Sequence, residues 1–142
     1  MKDIVRKFDV STLKYMNFFK SATNINAKDC IVFENEIFFV TDKGLAGRAV
    51  GKKGENIKNL RNSLKKQIKI FEYGDSAEEL VKNFLFPLKL QECTLEDSKL
   101  AIKFTKASDR RYLLGNQQEK LKQLKEVLKR FYPHVVEVTV LQ

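Results

Sequence analysis

Sliding the chain against itself by 64 positions pairs Thr41 with Thr105, Gly51 with Gly115, Ile57 with Leu121, Leu60 with Leu124 and Leu64 with Leu128. Lys58 meets Lys122 and Lys65 meets Lys129 at the same offset. A turn glycine and an apolar helix face that repeat together constrain the fold strongly, because each copy must bury the same face in the same way. The chain therefore reads as two copies of one unit, residues 1–74 and 75–142, divided at Gly74-Asp75.

Each copy has the same order of elements. Residues 9–24 predict a helix capped by Asp9 or Ser11, with Val10, Leu13, Met16 and Phe19 as its apolar face. Cys30–Phe33 and Ile37–Val40 predict two strands of a hairpin around Glu34-Asn35-Glu36. A short helix through Gly47, a turn, a second helix from Glu55 and a strand at Gln67–Tyr73 complete the first unit. In the second, Ser76 to Glu79 forms a capping box, and its helix carries Leu80 and Phe84 and stops at Pro87. Strands at Leu88–Thr94 and Leu100–Thr105 flank Leu95-Glu96-Asp97-Ser98. A helix at Ser108–Leu114, a longer one to Phe131, and a strand alternating through Val136, Val138 and Val140 follow.

The chemistry concentrates in Gly47-Arg48-Ala49-Val50-Gly51-Lys52-Lys53-Gly54-Glu55-Asn56-Ile57. Glycines at both ends of the turn permit positive φ and leave the backbone bare. The next helix then offers an N-terminus to an anion, with Lys52 and Lys53 adding charge. A nucleotide-binding P-loop does not fit: Gly47 and Gly51 are too close together, and Lys53 stands where a magnesium-binding Ser or Thr belongs. A Gly-x-x-Gly turn can also be a plain helix connection, and Lys-Lys a solvated corner. The surrounding repeat favours the functional reading.

Composition narrows the function. The 142 residues carry 27 Lys and Arg against 18 Asp and Glu, a net of +9, which points to an anionic polymer, nucleic acid ahead of membrane. Residues 1–74 hold 15 basic and 8 acidic side chains, net +7, and residues 75–142 hold 12 and 10, net +2. Cys30 and Cys93 are the only cysteines and are expected to be buried, reduced thiols. His134 is the single histidine and cannot build a zinc site. Nothing pairs a nucleophile with a base, so no enzymatic role, metal or cofactor is expected. With no signal peptide and no span of about 18 apolar residues, the chain is expected to be soluble and cytoplasmic, without a membrane partner.

The Gly-Lys-Lys-Gly loop between two helices of an αββααβ unit resembles a type II KH domain. Residues 47–57, in a tandem pair of such units, resemble the archaeal NusA-like transcription termination and antitermination factors. That resemblance implies an α+β fold of two tandem type II KH domains, each a three-stranded sheet with helices packed on one face. It implies a monomer that binds single-stranded RNA in transcription elongation or termination, with contact to RNA polymerase or its transcript complex. Gly51, Lys52, Lys53 and Gly54 would clamp the nucleic-acid backbone, and Arg48, Asn56, Lys58 and Arg61 would extend the contact. Val50, Ile57 and one face of Ile68–Ile70 would floor a groove for bases. In the second copy Gln118 replaces the second glycine, so Gly115, Asn116 and Gln117 are weaker RNA-binding candidates. A ribosome-associated or ribosome-assembly KH protein, and a KH protein-interaction module, are the alternatives.

Overall fold

The computed structural model describes residues 10–142. The chain divides into two compact units between Tyr73 and Gly74. The first runs α1 (Val10–Thr23), β1 (Asp29–Val32), β2 (Glu36–Thr41), α2 (Ala46–Val50), a 3-10 turn (Lys52–Gly54), α3 (Glu55–Leu64) and β3 (Gln67–Glu72). The second runs α4 (Ala77–Leu85), β4 (Leu90–Glu96), β5 (Lys99–Phe104), α5 (Ala107–Leu114), a 3-10 turn (Asn116–Gln118), α6 (Glu119–Phe131) and β6 (Glu137–Val140). The architecture is mixed α+β, with the sheets β1-β2-β3 and β4-β5-β6. Within each, the first two strands pair antiparallel and the third joins parallel to the second. A parallel partner needs a long crossover, and the helix-turn-helix supplies it.

In the first unit Phe19, Cys30, Ile37, Phe39, Ala49, Leu60 and Ile68 build the core under the helices. The rings of Phe19 and Phe39 stack at 4.5 Å between centroids. Side chains alternate along β2, so Phe38 turns to the opposite face, where Phe33 and Phe71 meet it edge-on. Residues Ile37 to Thr41 are all buried. Burial on both faces is why β2 reads as an unbroken apolar run.

Several expectations shift. Asp9, offered as a cap for α1, lies outside the described residues. Val10 and Leu13 are 82% and 48% exposed, and Phe18 is exposed beside them. The packed stripe is Tyr15, Met16, Phe19 and Ala22. The β4–β5 hairpin is tighter than expected, since β4 continues to Glu96 and only Asp97-Ser98 turns. Both turn residues have positive φ, 51° and 66°, as the type I′ geometry that matches strand twist demands. Val136 is 75% exposed and precedes β6. Ser76 Oγ accepts from Glu79 N–H at 3.1 Å as a capping box requires, while the Glu79 carboxylate takes the Asp75 N–H rather than that of Ser76. Both cysteines are free thiols, but Cys93 is only half-buried. No helix among the described residues is long and apolar enough to cross a membrane.

Candidate nucleic-acid interface

Helix α2 has no side-chain cap of its own. Glu72 on β3 fills the role, its Oε2 accepting the Ala46 N–H at 3.3 Å. A carboxylate suits the positive end of a helix dipole, and here it also ties α2 to the sheet. Ala49 is fully buried on the packed side, Val50 is half-buried and Arg48 is exposed.

The chain leaves α2 through Gly51 at φ 86°, ψ 165°, a region open essentially to glycine alone. A β-carbon there would meet Asn56 Cγ at 2.8 Å and its backbone N at 2.9 Å, so space forbids a side chain as well. Lys53 (φ 55°) and Gly54 (φ 73°) are left-handed. The turn closes with the Gly54 N–H donating to the Gly51 carbonyl at 3.0 Å. At Gly54 a β-carbon would touch only Ile57 Cγ2 at 3.6 Å, so the space above this residue is open. Gly54, the N-cap of α3, offers no side chain to that helix. The Glu55 N–H is taken by the Lys52 carbonyl, and the positive end of the helix faces outward for an anion. Lys52 and Lys53 are exposed, and neither is paired among the described residues.

The other sequence-derived candidates separate by depth. Asn56 is half-buried behind Gly51, and its Nδ2 donates to the Arg48 carbonyl at 3.4 Å, linking α3 to α2. Ile57 and Ile70 are partly buried against the core and Ile68 is buried in it, so these residues form the packed layer beneath the site. Lys58 is exposed. Arg61 is half-buried, with its Nε shielded from water and without a hydrogen-bond partner. A shallow groove of about 420 Å³ beside the loop is lined by Lys52, Lys53, Glu55, Lys58, Asn59 and Asn62. Sequence reasoning missed Glu72, Asn59 and Asn62. The spacing of 55, 58, 59 and 62, one polar helix face, was the available signal for the last two.

The second loop closes with the same turn without a second glycine, though its first two residues take other backbone conformations than Gly51 and Lys52. The Gln118 N–H donates to the Gly115 carbonyl at 2.9 Å, matching the closing bond of the first loop. Asn116, Gln117 and Gln118 all sit at positive φ, between 53° and 62°. Gly115 itself is extended at φ −78°. Its glycine requirement comes from space, since a β-carbon would lie 2.8 Å from the Arg111 carbonyl oxygen. All four residues are exposed, but Asn116 Nδ2 already donates to Glu119 Oε1 at 2.8 Å. Among the described residues no group of three or more His, Cys, Asp or Glu is placed to hold a metal.

The family model described as the KH domain matches residues 15–85, from within α1 to the last residue of α4. The chain belongs to the KH domain family. This KH chain is 28% identical over 118 residues to the probable transcription termination protein NusA of Methanocaldococcus jannaschii, covering 81% of this chain and 64% of that protein. It is 30% identical over 86 residues to the protein of the same name from Methanococcus vannielii, covering 61% and 50%. The matched segments thus span half to about two-thirds of those relatives. Among solved structures it is similar to the crystal structure of APE1850, at TM-score 0.77 and 31% identity, covering 94% of this chain and 100% of that one. The NusA-like, archaeal resemblance carried by residues 47–57 thus extends over most of the KH chain.

Proposed function

We propose that the chain is a tandem pair of type II KH domains that binds single-stranded RNA, chiefly through Gly51–Gly54, during transcription elongation or termination. The observation that carries this is the loop itself. Two glycines bare the backbone at the start of α3, and the two exposed lysines between them are unpaired among the described residues. A KH loop of this form clamps about four nucleotides by their backbone. Similarity to proteins named as probable transcription termination factors supports the setting. RNA in a transcription complex is then the partner. Co-purification with polymerase rather than ribosomal subunits would separate this role from ribosome assembly.

The direct test is RNA titration of Lys52→Asp with Lys53→Asp. Each charged hydrogen bond is worth about 1.5–3 kcal/mol, so affinity should fall at least tenfold. Both side chains are exposed, and such changes usually move stability by no more than about 0.5 kcal/mol. Unchanged affinity, or displacement of RNA equally by duplex and by single strand, would leave only a sticky basic surface.

A further inference from the structure

We propose that the polar face of α3 is a second track for RNA, carrying the strand past the loop along Lys58, Asn59 and Asn62. This rests on the reading of Gly51–Gly54 as the clamp. The groove of about 420 Å³ begins at Lys52 and Lys53, so the track shares its first residues with that clamp. From Glu55 to Asn62 the helix rises about 10 Å, which extends the surface beyond a four-nucleotide site.

The chemistry fits a polyanion with a ribose. Three lysines face one carboxylate, Glu55, in the lining. Glu55 has its own structural reason, lying in the first turn of α3 where the helix dipole favours an acid. Asn59 and Asn62 have no such reason. Both are exposed, and neither side chain makes a hydrogen bond among the described residues. Asn is a poorer helix former than Ala, so α3 gains nothing internal from them. A carboxamide both donates and accepts. It suits phosphate oxygens and equally the ribose 2′-hydroxyl that distinguishes RNA.

The experiment compares homopolymeric single-stranded RNA of about four nucleotides, the length a KH loop clamps, with a strand of more than twice that length. Full-length chain carrying Asn59→Ala and Asn62→Ala should bind the short strand within twofold of wild type. Its affinity for the long strand should fall several-fold, toward that for the short one. Because amides are uncharged, the salt slope should not change. Equal long-strand affinity in variant and wild type would overturn the track while leaving the clamp standing. Equal loss for both strands would assign the amides to the clamp and overturn a separate track. Failure of wild type to bind either strand would remove the clamp, and the track with it.

Discussion

Gly51 and Gly54 bracket the loop but are required for different reasons. Gly51 combines φ 86°, ψ 165° with Asn56 atoms 2.8–2.9 Å from any β-carbon. Gly54 is left-handed with open space above it. Strained backbone costs about 1–3 kcal/mol, and at Gly51 a clash adds to it. Gly51→Ala should therefore lower the urea midpoint clearly more than Gly54→Ala, and equal midpoints would contradict the geometry. Gly54→Asp should lose RNA with a smaller loss of stability, because the new side chain points into the approach. The sequence made the paired glycines legible. It did not reveal that Gln118 keeps the same turn, because a left-handed non-glycine residue leaves no mark in composition. A further residue-scale prediction concerns Cys93. Burial raises its thiol from an ordinary 9.0 to about 11, with Lys82 lowering it and Glu78 raising it. Its thiolate fraction at pH 8 is then about one in a thousand, so alkylation should be slow until the pH exceeds about 10. The folded state holds this proton more tightly than the unfolded one. That contribution is fully present below pH 9 and lost as pH rises toward 11.

Element boundaries were legible where local chemistry dictates them and unreliable where tertiary packing does. Val10, Leu13, Met16 and Phe19 recur every three residues, but each step of three falls about 60° short of a full turn. Across those four positions the pattern walks to the opposite side of the helix, so its ends cannot share one face. Phe19 is fully buried while Val10 is 82% exposed. Phe19→Ala should accordingly cost about 3–5 kcal/mol, and Leu13→Ala only a few tenths, as read from chemical denaturation. Comparable losses would mean that Leu13 is packed after all. The Asp97-Ser98 turn shows the same limit in a strand setting. Turn-forming residues extend from Glu96 to Ser98, and only the register Glu96↔Lys99 fixes which two turn. Ser98 at φ 66° occupies a position that favours glycine, so Ser98→Gly should raise the melting temperature slightly.

At the scale of the whole chain the repeat was legible because equivalent helices bury equivalent residues, Leu60 at 1% and Leu124 at 0% exposure. The offset slips by a residue in the hairpin, where three residues separate β1 from β2 and only Asp97-Ser98 separate β4 from β5. It fails after α6, which spans 13 residues against 10 in α3 and is followed by a longer approach to the last strand. Helix length there is set by packing that spacing alone does not encode. What the copies do not share is charge. Residues 1–74 carry a net +7 and residues 75–142 a net +2. The first loop presents Lys52 and Lys53 where the second presents Asn116 and Gln117. Each phosphate neutralised on a single strand contributes about −0.7 to the slope of log affinity against log salt. Three to five contacts among Arg48, Lys52, Lys53, Lys58 and Arg61 would then give a slope of about −2 to −3.5. Lys52→Ala with Lys53→Ala should flatten it by about 1.4, two phosphates' worth. Asn116→Ala with Gln117→Ala should leave the slope alone and weaken binding less, since uncharged amides release no counterions. If the two pairs flattened the slope equally, the second loop would be gathering phosphates through charges outside it, and dominance of the first unit would fall.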